Sequence, residues 1–337
     1  FAKKKMNLVT GATGNLGIHL MFLLLKKGEK VVALYRDEAK KANVLNVFKY
    51  YSTEAKELYD KIKWKQAELA DFSSLEDAFE GVQNVYHCAA YVSFKNKNWH
   101  KFEQSNIKGT ENIVNLCLDK KIRKLVHVSS IATLATSTEG LTDEEMVLDI
   151  NDTKTFYSKS KYYAELEVFR GIEEGLNAVI VNPSVILAPY SLSKLSGKII
   201  KYLLKNGIKY FVCGKKGYVD VNDVAATMIL LMQSDICSDK FILNSENLSF
   251  KKFFEIVNEK IDKKPPKVRI TKRKLEVIKF LLNIITFGNS FINNQLIYYA
   301  INDELYSNNK IVNAIDYQFK PISQTIEEIL NIYRKIL

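Results

Sequence analysis

Tyr157 and Lys161 stand four residues apart in the run Thr155-Phe156-Tyr157-Ser158-Lys159-Ser160-Lys161. On a helix that spacing puts both side chains on one face, so an ammonium can sit beside a phenol. A nearby cation favours the phenolate, and a tyrosine so placed can give or take a proton near neutral pH. Such pairs also occur on ordinary surface helices, so the pair needs company. It comes from Asn7-Leu8-Val9-Thr10-Gly11-Ala12-Thr13-Gly14-Asn15-Leu16-Gly17. Glycines at 11, 14 and 17 allow a tight turn and close approach of a ligand to the backbone. The free N–H groups and dipole of the helix that follows attract an anion such as a pyrophosphate. The chemistry suggested is proton transfer beside a bound dinucleotide.

The elements needed to hold these residues can be read along the chain. Met6–Thr10 reads as a short buried strand, and Leu16, Leu20, Leu23 and Leu24 recur at helical spacing, so the glycines close a strand-to-helix turn. Glu29–Tyr35 is a second strand that completes a β-α-β unit. An acidic residue at its end would hold the ribose hydroxyls of NAD. Here Arg36 stands there with Lys40 and Lys41 one turn on, which suits a 2′-phosphate and hence NADP, NAD being the alternative. Glu38–Asp60 reads as helical with a break near Ser52, Ile62–Leu69 as a third strand, and Ser73, Ser74 and Glu76 as a helix opening.

Asn84–Ala90 is an apolar run ending in the small residues that a strand tip beside a cofactor needs, and Val92-Ser93-Phe94 follows as a loop. Phe102–Asp119 has helical periodicity, and Lys124–Ser129 is a fifth strand ending at Ser129-Ser130. This alternation predicts an α/β fold with a doubly wound parallel sheet, in which ligands bind beyond the carboxyl ends of the strands. A polar loop from Thr136 to Thr153 precedes the Tyr157 helix, and Ala178–Val181 is strand six.

Composition narrows the class. A chain of 337 residues, 47% hydrophobic and 26% charged, is long enough for a large core and ordinary enough in charge to argue against extended disorder. The net charge of +11 comes from lysines along the whole chain, with no dense basic block and no Arg-aromatic interleaving, so no nucleic-acid partner is expected. Cysteines at 88, 117, 213 and 237 have no paired spacing, and the four histidines are scattered, with His87 and His127 in strands. No metal site is expected, and free thiols suit a reducing, cytoplasmic setting. The glycine turn starts at residue 11, so Phe1–Lys5 reads as an extension and no signal peptide is expected before it.

Five motifs now stand in one order: Gly11-x-x-Gly14-x-x-Gly17, Asn106-x-x-Gly109-Thr110, Ser129-Ser130, Tyr157-x-x-x-Lys161 and Asn182-Pro183-Ser184-Val185. Together they resemble the extended short-chain dehydrogenase/reductases, over nearly the whole chain to the segment Ser307–Leu330. The resemblance implies Tyr157 as catalytic acid/base, Lys161 as its partner and holder of the nicotinamide ribose, and Ser130 as the anchor of the substrate oxygen. Ser129 would contact the cofactor, and Asn106 would support a proton relay through the lysine. Thr13, Asn15 and Leu16 would bind the cofactor with the three glycines and with Arg36 and Lys41. Glu68-Leu69 would lie at the adenine, Ala89 and Ala90 along the cofactor, and Pro183 and Val185 at the nicotinamide amide.

Within that family, sugar-nucleotide epimerases carry an arginine where this chain has Asn182, and a different loop where it has Ile131-Ala132-Thr133-Leu134. Arg36, His87–Ala90 and Val92–Phe94 instead resemble the dihydroflavonol reductase and hydroxysteroid dehydrogenase branch. The resemblance therefore implies an NADPH-dependent reductase of a carbonyl on a small organic substrate. A nucleotide-sugar epimerase or dehydratase with bound NAD, and a non-catalytic NADP sensor, are the alternatives.

Residues 1–189 are expected to form the dinucleotide-binding domain and 190–337 mainly the substrate-binding portion, with some segments returning to the core. Tyr218–Asp223 should lead into a helix, and Phe241–Asn244 should be a short strand. Residues 272–300 are apolar with basic flanks and fit a lid helix, a homodimer face or a membrane-surface patch. Lys279, Asn283 and the Gly288-Asn289 break argue against a spanning helix and leave lid or core packing as the preferred reading.

Overall fold

The computed structural model describes residues 5–93, 98–137, 139–146, 148–151, 155–190, 194–285 and 293–337. Phe94 and the Gly288-Asn289 break lie outside the described residues. In chain order the strands are β1 (Met6–Thr10), β2 (Lys30–Tyr35), β3 (Lys63–Gln66), β4 (Asn84–His87), β5 (Lys124–Val128) and β6 (Ala178–Pro183). They continue as β7 (Val185–Leu187), β8 (Tyr210–Phe211), β9 (Lys215–Asp220), β10 (Asp239–Leu243), β11 (Glu246–Ser249) and β12 (Val268–Arg269).

Seven strands make the central sheet in the order β10-β6-β5-β4-β1-β2-β3, and each neighbouring pair is parallel. The order reverses beside β1, between β2 on one side and β4 on the other. At such a switch point adjacent strands lead to helices on opposite faces and leave a crevice at the carboxyl edge. The inner strands are buried on both faces, as parallel sheets covered by two helical layers require. One layer packs the helix Asn15–Lys26 with Val221–Gln233, and the other packs Gly109–Asp119 with Phe156–Glu173.

Several strands end sooner than their apolar runs suggest. β4 stops at His87 and β5 at Val128, although Ser129 N still donates to Val181 O at 2.7 Å. β3 covers only Lys63–Gln66 of the expected Ile62–Leu69. The break at Ser52 is real: Lys41–Tyr51 and Ala55–Asp60 are separate helices on either side of it. Phe102–Asp119 is not one regular helix, since Glu103–Lys108 is wound as a π segment between Trp99–Phe102 and Gly109–Asp119. A second sheet, β11-β9-β7, grows from the end of β6, and β8 pairs with β12 in a third. β9 leads into the helix Val221–Gln233, whose start is capped by the Asp220 carboxylate accepting from Asn222 N at 2.7 Å.

Candidate active site

The glycine turn is built by sterics. Gly11 lies at φ +64°, and a Cβ there would come within 2.7 Å of the Ala89 backbone nitrogen. A Cβ on Gly17 would fall on the Gly11 carbonyl oxygen. Gly14 is exposed at the start of the helix Asn15–Lys26, with no side-chain cap and no acidic residue in the first turn. That leaves its N–H groups and positive dipole end free for an anion. The Asn15 Oδ1 is buried without a partner at the same turn. A cradle that excludes Cβ atoms and an uncapped helix start fit a dinucleotide pyrophosphate.

A chain of hydrogen bonds ties this turn to the strand beside it. Ala89 N donates to Thr10 Oγ1 at 3.1 Å, and Thr10 Oγ1 lies 2.7 Å from His87 Nδ1. His87 Nε2 lies 3.0 Å from Thr110 Oγ1, which donates to the Asn106 carbonyl at 2.6 Å. Because Thr110 spends its proton on Asn106, it accepts from His87, which fixes His87 as the Nε2–H tautomer. Burial lowers its pKa to about 3, so the ring stays neutral.

Asn106, buried within the π segment, clamps the loop after β4 at both ends of its amide. It accepts from Tyr91 N at 2.6 Å, and its Nδ2 has both Tyr91 O at 3.0 Å and Ser160 Oγ at 2.9 Å within reach. Ser160 Oγ donates to the Tyr157 carbonyl at 2.8 Å, joining Asn106 to the helix that carries the tyrosine. That helix, Phe156–Glu173, starts at Thr155, whose hydroxyl accepts from Ser158 N at 2.8 Å. A second tie comes from Ser158, whose hydroxyl donates to the Ala132 carbonyl.

The structure brings Ser130, Tyr157 and Lys161 together at the end of β5. Tyr157 is half-buried and hydrogen-bonded to the Ser130 hydroxyl. Lys161 is buried, with Nζ donating to Val128 O at 2.8 Å and lying 3.3 Å from His127 Nε2. An ammonium only donates, so His127 accepts through Nε2 and carries its proton on Nδ1. Burial pulls the Lys161 pKa down to about 8, with Glu165 one turn on pulling it back up. The expectation of a lowered Tyr157 pKa is not met. Burial pushes the phenol upward, the Ser130 bond offsets part of this, and the Lys161 ammonium is engaged with β5.

A buried network braces the serine from behind. Asn182 Nδ2 reaches Ser130 O at 3.0 Å, Thr133 Oγ1 at 3.0 Å and Glu165 Oε1 at 2.7 Å. Thr133 Oγ1 has Ser130 O at 2.8 Å and Glu165 Oε1 at 2.7 Å within donating distance. The sequence marked Asn182 only as a departure from an arginine. It did not mark Glu165 or Thr133 as members of the site. Helical spacing from Lys161 to Glu165 is the one local signal that could have found the glutamate. Ser129, expected at the cofactor, has a buried Oγ with no partner, an acceptor and donor free for a ligand.

At the far end of the crevice Arg36 is exposed and lies 3.5 Å from Glu68 Oε1, so two residues expected at the adenosine come together. Glu68 and Leu69 sit on a loop fixed by Ser74 Oγ, accepting from Glu68 N at 3.1 Å, and by Asn112 Nδ2, donating to Leu69 O at 2.8 Å. Lys41 is placed differently. Its ammonium pairs with Glu38 at 2.8 Å and lies 4.5 Å from the centre of the Tyr35 ring. Pro183 ends β6 and Val185 opens β7, with Ser184 between them donating its N–H to Leu243 O at 3.0 Å. Thr13 is reached by the Tyr190 hydroxyl, which donates to its carbonyl at 3.4 Å. All four cysteines are free, and no His/Cys/Asp/Glu group that could hold a metal occurs among the described residues. No helix among them is long and apolar enough to cross a membrane.

The chain is similar to proteins of known sequence and structure. The profile of the NAD dependent epimerase/dehydratase family matches residues 7–241. "Sterol demethylase protein B" of Methylococcus capsulatus is 28% identical over 275 residues, 81% of this chain and 80% of that protein. A bifunctional dihydroflavonol 4-reductase/flavanone 4-reductase of Malus domestica is 25% identical over 266 residues, 75% of each. Among solved structures, a UDP-N-acetylglucosamine 4-epimerase from Methanobrevibacter ruminantium superposes with a TM-score of 0.77 at 16% identity, covering 99% of this chain and 100% of that one.

Proposed function

The chain belongs to the NAD-dependent epimerase/dehydratase family, an NAD(P)-binding family of oxidoreductases and epimerases, and we propose that it is an NADP(H)-dependent carbonyl reductase. The observation that carries this reading is the Ser130, Tyr157 and Lys161 cluster at the end of β5, at the carboxyl edge of the same sheet as the open glycine turn.

The nicotinamide supplies hydride when bound; the protein supplies position and a proton. The uncapped helix start holds the pyrophosphate, and Arg36 takes the 2′-phosphate, exchanging its exposed contact with Glu68 for a doubly charged partner. Lys41 is already paired with Glu38, so Arg36 bears most of that recognition. Ser130 donates to the substrate carbonyl oxygen, Tyr157 delivers the proton to it, and Lys161 holds the nicotinamide ribose. The raised phenol pKa keeps Tyr157 protonated at neutral pH, the form a reductase needs in its proton donor. The reductases among the relatives, the Malus domestica protein included, favour this direction of chemistry.

The test is NADPH oxidation across a panel of aromatic, steroid and aliphatic ketones and aldehydes. Tyr157→Phe is expected to lower turnover by roughly 10²-fold or more while leaving NADPH binding nearly intact. Unchanged turnover by this variant would remove Tyr157 from the chemistry. Tightly retained NAD with no net consumption of reduced cofactor would point to epimerase chemistry instead.

A further inference from the structure

Lysines occur along the whole chain, but the uncompensated charge does not. Residues 198–209 hold Lys198, Lys201, Lys205 and Lys209 and no acid. Residues 263–281 hold eight basic residues against Glu276 alone. These 31 residues carry a net charge of +11, equal to that of all 337, so everything else sums to zero. The two segments are joined in space through β8 and β12, with Tyr210 beside Val268 and Phe211 beside Arg269. Further bonds run from Val268 N to Lys209 O at 3.2 Å and from Ile270 N to Phe211 O at 2.8 Å.

The same two segments, with β8, also expose apolar side chains. Tyr202 is 63% exposed, Tyr210 56% and Val268 44%. The helix Lys272–Ile285 presents Val277, Phe280 and Leu281 at 57%, 63% and 52% exposure. These three lie at helical spacing on one side, with Lys272, Arg273 and Lys274 exposed in the turn before them. Of the lid or core packing preferred for residues 272–300 from sequence, core packing holds for Ile297, which is buried, and not for Val277, Phe280 and Leu281. Apolar groups of this size are normally covered in a soluble chain, and a contiguous set marks an interaction surface.

We propose that these segments lie on the surface of a bilayer rich in anionic phospholipids, with the helix Lys272–Ile285 parallel to the membrane plane. Lys272, Arg273, Lys274, Glu276 and Lys279 are charges that a membrane-spanning segment does not tolerate. A basic helix with exposed aromatic and aliphatic residues on one side is the form that binds interfacially, apolar groups among the acyl chains and cations among the headgroups. A second copy docking through the same segments would bring like charge together, which charge repulsion opposes. Nucleic acid would answer the charge but leave Val277, Phe280 and Leu281 uncovered. The proposal stands whether or not Tyr157 is the proton donor.

Vesicle flotation of the full chain tests it. The wild type is expected to float with vesicles of phosphatidylcholine and phosphatidylserine and not with phosphatidylcholine alone, and raised salt should release it. The triple variant Lys272→Glu, Arg273→Glu, Lys274→Glu should weaken binding by roughly 10²-fold, and Phe280→Ser with Leu281→Ser should also weaken it. All five side chains are exposed, so melting temperatures should stay close to wild type. No flotation of the wild type, or equal flotation of both variants, would overturn the proposal. So would a lipid-free dimer lost in the Phe280→Ser, Leu281→Ser variant, or duplex DNA binding where vesicles fail.

Discussion

Glu165 shows how much of the site is decided by single buried groups. Its carboxylate lies one turn from Lys161 and raises the lysine's pKa against the larger lowering by burial. In the proposed chemistry Lys161 acts as a cation, so turnover should fall as pH rises through about 8, where the ammonium loses its proton. Glu165→Gln keeps an oxygen for Thr133 and Asn182 but removes the charge, so the alkaline decline should move to lower pH by about one unit. A pH profile of kcat measures this, and an unmoved alkaline limb would leave Glu165 only a structural brace. Arg36 governs the other end of the crevice. Arg36→Ala should weaken NADPH binding by roughly tenfold or more and leave NADH binding almost unchanged, since a charge-assisted bond to phosphate contributes about 1.5–3 kcal/mol. Nicotinamide fluorescence titrations with the two cofactors would read the difference; equal losses for both would mean that Arg36 does not read the phosphate.

At the scale of elements, the glycine turn was the most legible feature, because most of its constraint is local. Cβ atoms at 14 and 17 would meet the Gly11 carbonyl, so their spacing alone carries the information. Gly11 itself is confined by the backbone of Cys88 and Ala89, which only the fold brings beside it. The brace behind Ser130 was not legible. Asn182, Glu165 and Thr133 come from β6, a helix and a 3₁₀ turn, and only the fold makes them neighbours. The π segment was hidden for a related reason: its apolar periodicity passes for a regular helix, and its purpose, aiming Asn106 at Tyr91 and Ser160, appears only when the partners are in place. The turn offers a sign test. On an exposed helix Gly→Ala stabilises by up to about 1 kcal/mol. Gly17→Ala should do the opposite, because its Cβ meets the Gly11 carbonyl, backbone that cannot swing aside. Thermal melts should show a lower Tm, and NADPH affinity should fall with it. A higher Tm would mean that the turn is free to open.

On the scale of the molecule, the two halves of the chain share one core. Residues before position 190, among them Val9, Leu20, Met21, Val126, Val179 and Val181, form a single cluster with Val219, Val224, Met228, Phe241 and Leu243 from beyond it. β10 closes the sheet on β6 through five residue pairs, and the helix Val221–Gln233 covers the helix that follows the glycine turn. Even the C-terminal helix Ile322–Ile336 reaches this region: Tyr333 Oη accepts from Tyr190 N at 3.2 Å, and Tyr190 in turn holds Thr13. The segments beyond residue 190 expected to return to the core include β9, the helix Val221–Gln233 and β10. A fragment of residues 1–189 would expose the β6 edge and the apolar side of the helix Asn15–Lys26, conditions that favour aggregation. Such a fragment is expected to be insoluble or to melt without a sharp transition. The full chain should unfold in one cooperative step that NADPH shifts upward by mass action. Differential scanning calorimetry distinguishes the outcomes, and a soluble fragment that melts sharply and still binds NADPH would show that the first 189 residues hold their own core.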